Sequence, residues 1–176
     1  MKNLKIILVV LISVSLFVSS CVSKKIAYTS DIQKEYQFPE SKLKKVQFYT
    51  SGEIVLIQTK QDGDVTISDG KLVMINSKDV EKVIVPKNTK CVLEEVVSDN
   101  KLIFSFEFGD GKVLLFGNNG SGCYSLMSKD WKNGVATIHY ANKNYITTDG
   151  DVFLTIKAKK LSNLKAKERV VHGRKI

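Results

Sequence analysis

The sequence predicts an all-β fold: a single small antiparallel barrel or sandwich of about nine short strands built from hairpins, with a basic C-terminal tail. Three observations predict it. Short runs rich in β-branched and aromatic residues lie between Val46 and Leu154. Turn-forming residues separate these runs at intervals of about eight to twelve residues. No segment before Ala158 repeats its apolar residues with the period of a helix.

The Asp-Gly dipeptide is the main hairpin signal in this chain, because a type I′ turn needs positive φ at both central positions. The dipeptide recurs at Asp62, Asp69, Asp110 and Asp149. At Asp69-Gly70 the flanking alternation predicts a hairpin that sets Ile67 opposite Leu72. A metal site at these aspartates is not expected, since hairpin turns account for them.

Two further Asp-Gly turns extend the predicted sheet. A two-residue loop at Asp110-Gly111 would pair Phe108 with Val113, in a hairpin that is apolar on both faces. Such a hairpin belongs inside a barrel or sandwich, where both faces are covered. A turn at Asp149-Gly150 would set Ile146 opposite Phe153 in a third hairpin.

The first twenty-one residues carry an export signal. Lys2 and Lys5 precede an apolar run from Ile6 to Val18, which as a helix would span about 20 Å and fall short of the roughly 30 Å hydrocarbon core. Val18-Ser19-Ser20-Cys21 closes the run. This arrangement resembles the signal peptide and lipobox of bacterial lipoproteins. The resemblance implies cleavage before Cys21 and a lipid anchor on Cys21; the alternative is an ordinary secretory signal with an incidental cysteine.

The residues after Cys21 bear on which membrane would hold the anchor. Val22 is not the aspartate that resembles an inner-membrane retention tag in enterobacterial lipoproteins. Ser23-Lys24-Lys25 lacks the acidic residues that surface-exported lipoproteins often carry at this point. The resemblance therefore implies an outer-membrane lipoprotein of the cell envelope that faces the periplasm.

The predicted organisation has four parts. They are a signal peptide (1–20), a lipidated cysteine with a polar spacer (21–42), an all-β domain (43–157) and a basic tail (158–176). Pro39 interrupts the spacer, which reads as a flexible connection between lipid and domain. The length that remains after signal cleavage is sufficient for one domain with its own core.

The positive charge is concentrated at the C-terminal end. The whole chain carries +9, and eight basic residues stand against Glu168 alone after Ile156. These are Lys157, Lys159, Lys160, Lys165, Lys167, Arg169, Arg174 and Lys175. The body of the domain is neutral, and an exported protein does not meet nucleic acid, so nucleic acid is not an expected partner. We expect the tail to contact an anionic lipid surface, or to be solvated. Its first part has the apolar spacing of a short helix, at Ala158, Leu161 and Leu164.

Two cysteines remain after Cys21 is assigned to the anchor. Cys91 and Cys123 could form a disulfide that closes a loop of about thirty residues, worth roughly 3–4 kcal/mol. The alternative, which the sequence favours, is a pair of buried free thiols.

The sequence predicts neither a catalytic site nor a metal or cofactor site. Cys123 and His139 are the one pair that could serve as nucleophile and base of a cysteine hydrolase. No sequence motif supports activation of the Cys123 thiol. Trp131 lies in a polar loop, where it either closes the end of the fold or stacks on a sugar ring. Together with Tyr124 and the loop 117–122, it is the candidate ligand contact. The expected function is a non-catalytic envelope module that binds another envelope protein, anionic lipid or a glycan such as peptidoglycan.

Overall fold

The computed structural model describes residues 24–58, 65–74, 81–118 and 120–164. Cys21, the Asp62-Gly63 turn and His172 lie outside these residues. Three short helices are present in the described part: α1 (Ser30–Tyr36), α2 (Glu40–Leu43) and α3 (Ala158–Leu164). No helix within it has the length and hydropathy that a membrane span requires.

Most of the described chain is in strands. They are β1 (Lys25–Ala27), β2 (Phe48–Thr50), β3 (Ile54–Gln58), β4 (Val65–Ser68), β5 (Lys71–Met74), β6 (Lys82–Val85), β7 (Lys90–Ser98), β8 (Lys101–Ser105), β9 (Val113–Asn118), β10 (Tyr124–Leu126), β11 (Trp131–Lys132), β12 (Val135–Tyr140), β13 (Lys143–Thr147) and β14 (Leu154–Lys157). The number exceeds the predicted nine mainly because β1, β10 and β11 have only two or three residues, too few to show an alternating pattern.

The strands form two antiparallel sheets and a separate hairpin. The larger sheet has the order β1-β14-β2-β7-β8-β9-β10, the smaller has the order β11-β12-β13-β3-β6, and β4 pairs only with β5. Single bridges, Thr29 to Cys123 and Ser125 to Phe153, bring the end of the larger sheet back towards its beginning. These bridges do not close a barrel, and the predicted all-β fold is confirmed in its sandwich-like form.

One hydrophobic core holds the two sheets together. Its centre is aromatic, with the Phe48 ring 5.0 Å from Tyr28 and 4.9 Å from Phe104 in edge-to-face contacts. Leu56 and Ile138 of the smaller sheet belong to the same cluster and are buried. Edge-to-face contacts of this kind stabilise a core beyond the area they bury.

The predicted hairpins have different outcomes. The turn at Asp69-Gly70 is confirmed, with Ile67 opposite Leu72 and positive φ at both turn residues. The register predicted at Asp110-Gly111 is wrong, because Ser105 rather than Phe108 pairs with Val113. The loop runs over residues 106–112, and a shift by an odd number of positions exchanges the two faces of a strand. Phe104 is buried as a result, while Phe108 is fully exposed.

The hairpin predicted at Asp149-Gly150 is also wrong. β13 pairs with β12 and β3, whereas β14 pairs with β1 and β2 in the other sheet. The chain therefore changes sheets at this turn. The Asp149 carboxylate accepts the Val55 N–H at 2.7 Å and holds the crossing in place.

The spacer predicted over 21–42 is wrong for the residues that the structure describes. β1 pairs with β14, and Tyr28, which follows β1, is completely buried in the core. Thr29 caps α1 by accepting the Ile32 N–H at 3.2 Å. Phe38 and Leu43 are buried as well. Residues 25–43 are thus part of the domain, and two residues separate Cys21 from Lys24, the first described residue.

The start of the predicted basic tail is folded. Lys157 ends β14, and Lys159 and Lys160 lie on α3, whose Leu161 is buried in the core. The predicted helical spacing is confirmed as far as α3 extends. The other tail residues predicted to contact an anionic surface, Lys165, Lys167, Arg169, Arg174 and Lys175, lie outside the described residues.

Candidate functional site

Two neighbouring cavities form a groove where the chain passes from the larger to the smaller sheet. The segment after β10 makes this passage. The Met127 N–H donates to the Leu115 carbonyl at 2.9 Å, and the Ser128 hydroxyl donates to the Thr137 carbonyl at 2.6 Å. Met127 and Ser128 line both cavities, so this segment forms a wall that the two cavities share. We call the whole the Trp131 groove.

The first cavity is small and mainly apolar. It has a volume of about 310 Å³ and is lined by Gly117, Leu126, Met127, Ser128, Trp131 and Gly150. Two of its walls are formed by glycines that neighbouring side chains approach closely. A Cβ at Gly150 would lie 2.5 Å from Cη2 of the Trp131 indole, and a Cβ at Gly117 would lie 2.6 Å from Cε of Met127. The indole therefore packs directly on backbone, while about a third of Trp131 stays exposed.

The second cavity has more polar side chains in its lining than the first. It has a volume of about 490 Å³ and is lined by Leu115, Met127, Ser128, Lys129, Asp130, Thr137, Ile138, His139 and Asn144. His139 Nδ1 lies 3.0 Å from Asn144 Oδ1, a register pair between β12 and β13. With the proton on Nδ1, the imidazole Nε2 is left as an acceptor and the Asn144 amide as a donor. This wall can therefore both donate and accept hydrogen bonds.

Tyr124 does not share this groove. Its side chain is fully buried, and its ring stacks on Tyr28 at 5.3 Å. The hydroxyl donates to the Asp99 carbonyl at 2.6 Å and lies equally close to Oε1 of Gln33. Burial, with Asp99 nearby, raises the pKa of Tyr124 to about 12. Tyr124 thus contributes to a separate cavity of about 340 Å³ beside α1, and the prediction that it joins Trp131 in one site is wrong.

The glycine-rich loop is organised by one asparagine. Asn118 Oδ1 accepts the N–H of Gly120 at 3.0 Å and that of Gly122 at 3.2 Å. Gly117, at the start of the loop, lines the Trp131 groove. The loop therefore contributes one glycine to the groove, and residue 119 lies outside the described part.

The two cysteines of the domain are both free thiols. Cys91 lies on β7 and is buried, whereas Cys123 precedes β10 and is half-buried. Two strands lie between them in the larger sheet, which separates them by about 14 Å along the sheet at about 4.8 Å per strand. A disulfide needs Cα atoms within about 7 Å, so the disulfide alternative is wrong.

The thiols should differ in reactivity. Burial raises the pKa of Cys91, so its nucleophilic thiolate is scarce as well as shielded. We expect the folded mature chain carrying Cys21→Ser to react at one thiol with an aromatic disulfide reagent, and at two thiols after denaturation without reductant. No reaction after denaturation would contradict this and indicate a disulfide. Cys123→Ser, as the matched variant, should remove the fast reaction only.

Cys123 and His139, the pair weighed for catalysis, lie in different surroundings. His139 pairs with Asn144 rather than with Cys123. Among the described residues that line the groove, Asp130 is the only carboxylate, whereas glycoside hydrolysis ordinarily uses two. No cluster of three or more potential metal ligands occurs in the described part of the chain. The indole and the hydrogen-bonding side chains line neighbouring cavities that share Met127 and Ser128.

Comparisons with protein families, with curated proteins and with solved structures found no match to this chain.

Proposed function

We propose that this chain is a lipid-anchored, non-catalytic protein of the bacterial cell envelope, held at the outer membrane and facing the periplasm, whose domain works as a binding or structural module. The observation that carries the proposal is the segment from Lys2 to Cys21, with its cationic start, short apolar run and small residues before a cysteine. The fold supports it, because the domain follows Cys21 almost at once and would sit close to the membrane.

Lipid attachment is tested by metabolic labelling with an alkyne-bearing fatty acid. We expect label on the wild-type chain and on Cys123→Ser, and none on Cys21→Ser. The two variants each remove one thiol, so a difference between them assigns the label to residue 21. An unlabelled wild type, or a labelled Cys21→Ser chain, would contradict the proposal.

The Trp131 groove favours binding as the mode of action. It joins an exposed indole to a wall of hydrogen-bonding side chains, and its combined size falls in the range of small-molecule sites. The partner of the module is then whatever envelope component fills this groove. Another envelope protein could do so through a protruding side chain, and this is the general form of the proposal.

A glycan such as peptidoglycan is the more specific candidate, and the two-part groove favours it. The face of a sugar ring is apolar and stacks on indole, while its hydroxyl groups both donate and accept hydrogen bonds. Trp131 offers the first surface. The hydrogen-bonding surface lies in the second cavity, on the far side of Met127, and is provided by Ser128, His139 and Asn144.

The ligand class is tested by fluorescence, because Trp131 is the single tryptophan of the chain. The mature Cys21→Ser chain is titrated with soluble peptidoglycan fragments and with chitooligosaccharides. We expect a saturable change in emission with at least one of them. Emission that is indifferent to every glycan would exclude the glycan candidate and leave the anchored module to be tested with protein partners.

A further inference from the structure

The entry and exit of the domain meet at one edge of the larger sheet. β1 and β14 are antiparallel neighbours, with Lys25 opposite Lys157. The Ala158 N–H donates to the Lys24 carbonyl at 3.0 Å and extends the pairing to the start of α3. Because an extended chain covers at most about 3.6 Å per residue, Cys21 lies within roughly 11 Å of Lys24. A lipid on Cys21 would therefore insert beside the lysines of β1, β14 and α3.

Lysines gather on the outer face of this edge around one aromatic ring. The Lys25 ammonium lies 3.9 Å from the centroid of the Tyr49 ring, and that of Lys157 lies 5.8 Å from it. Lys90 is the register partner of Tyr49 on the next strand. Ile26, Ile156 and Phe48, at alternate positions, face the core instead. We call this surface, formed by Lys25, Lys90 and Lys157 around the buried Tyr49 ring, the basic edge.

Three of the four strands that form the basic edge carry no acidic residue, whereas β7, which contributes Lys90, also holds Glu94 and Glu95. The strands β1, β2 and β14 contain no aspartate or glutamate. The ion pairs found among the described residues use Lys44, Lys112 and Lys143, none of which belongs to the edge. The Lys25 ammonium instead contacts the Tyr49 ring and donates a hydrogen bond to Asn88 Oδ1 at 2.8 Å. Lys25 and Lys157 thus lie side by side with no carboxylate on either of their own strands.

We propose that the basic edge is a docking surface for anionic lipid headgroups, which hold the folded domain flat against the membrane next to its anchor. The inference rests on the proposed lipidation of Cys21. A lipid anchor holds the chain at the bilayer, and a basic patch adds electrostatic attraction to anionic headgroups. Here the patch belongs to the folded sheet, so it would fix the orientation of the domain as well as its proximity.

The orientation has a consequence for the Trp131 groove. Gly150, in the wall of the groove, precedes β14, and Lys157, at the basic edge, is the last residue of that strand. The two positions are seven residues apart, and an extended chain of this length covers up to about 25 Å. With the basic edge on the membrane, we expect the groove to lie towards the end of β14 that is far from Lys157.

The test compares vesicle binding of two charge-matched variants of the mature Cys21→Ser chain, which contains every described residue. One variant carries Lys25→Gln, Lys90→Gln and Lys157→Gln at the basic edge. The control carries Lys82→Gln, Lys101→Gln and Lys132→Gln, at exposed lysines on other strands. Each lysine at an anionic surface contributes about five-fold to binding, so we expect the first variant to lose about 100-fold on phosphatidylglycerol-containing vesicles. The control should stay within about five-fold of the unsubstituted chain.

Three further measurements keep the outcome clear. The same comparison is made on chains that end after Leu164, so that the remaining basic tail does not mask the difference. Binding of the unsubstituted chain should fall as salt is raised and be weak on phosphatidylcholine vesicles. On lipidated protein, brominated lipids should leave the Trp131 emission unchanged. Equal binding by the two triple variants, or quenching of Trp131 by brominated lipids, would overturn the proposal.

Failure of the anchor and failure of the edge can be told apart. Vesicle binding is measured without lipid on residue 21, so it does not depend on the fatty-acid labelling result. A labelled wild type with equal binding by both triple variants would overturn the basic edge alone. An unlabelled wild type with selective loss at the edge would overturn the anchor and support the edge as a headgroup site.

Discussion

Replacing Tyr28 by alanine is expected to lower the free energy of unfolding by about 3–5 kcal/mol, the usual cost of removing a buried aromatic side chain. Tyr28 is completely buried, with its ring 5.0 Å from Phe48 and 5.3 Å from Tyr124. Its loss would leave a cavity at the centre of the aromatic cluster. Because small domains are stable by only about 5–15 kcal/mol, the effect is large. Denaturant unfolding of the mature Cys21→Ser chain measures it.

Phe108→Ala is the matched control for this prediction. It removes an aromatic ring of similar size, but Phe108 is fully exposed in the loop between β8 and β9. We expect its free energy of unfolding to change by less than about 0.5 kcal/mol. A loss below about 1 kcal/mol for Tyr28→Ala would mean that residues 25–43 do not pack as described, and that the flexible spacer of the sequence interpretation is correct after all.

The sequence predicts this fold best where the evidence is local. At Asp69-Gly70 the turn is two residues long and each residue adopts positive φ, so turn chemistry alone determines the register. At Asp110-Gly111 the same dipeptide lies inside a longer loop, where Gly109 and Gly111 both have positive φ. The register there depends on burying Phe104, which the dipeptide does not encode. Turn type is thus local information, whereas loop length is set by the core.

The N-terminal part of the domain could not be recognised from sequence for a physical reason. β1 is three residues long and has its partner on β14, more than a hundred residues later in the chain. The segment that follows, with its two short helices, buries few apolar residues, chiefly Phe38 and Leu43, and much of its exposed surface is charged. A segment with so few buried positions has the composition of a linker. Only its long-range pairing makes it part of the fold.

The candidate site was predictable only through its most conspicuous residue. Trp131 stands out as a single tryptophan among polar residues. Its partners Gly150 and Met127 lie in other segments, and Gly150 reads as a hairpin turn in the sequence. Their meeting depends on the change of sheets at residues 149–152, where the Leu126 N–H donates to the Val152 carbonyl at 2.8 Å. A contact that depends on such a change of sheets leaves no local pattern in the sequence.

Gly150→Ala is expected to displace the Trp131 indole and to weaken glycan binding by about ten-fold or more, as expected for loss of an aromatic anchor. The new Cβ would lie 2.5 Å from Cη2 and 2.6 Å from Cζ2 of the indole, distances that van der Waals contact does not allow. The indole is rigid and lies at the surface, so it would swing outwards rather than compress. We expect red-shifted Trp131 emission and stronger quenching by acrylamide. Trp131→Ala should abolish binding of the same glycan.

Asp151→Ala controls for the Gly150 substitution, because it changes the next residue of the same turn, which is exposed and does not line the groove. Its emission and its glycan affinity should match those of the unsubstituted chain. Displacement predicts that the emission shift and the loss of affinity occur together in Gly150→Ala. Unshifted emission would contradict the packing of the indole on the residue 150 backbone. A shift without loss of affinity would mean that the glycan binds elsewhere, since a ligand stacked on Trp131 cannot be indifferent to where the ring lies.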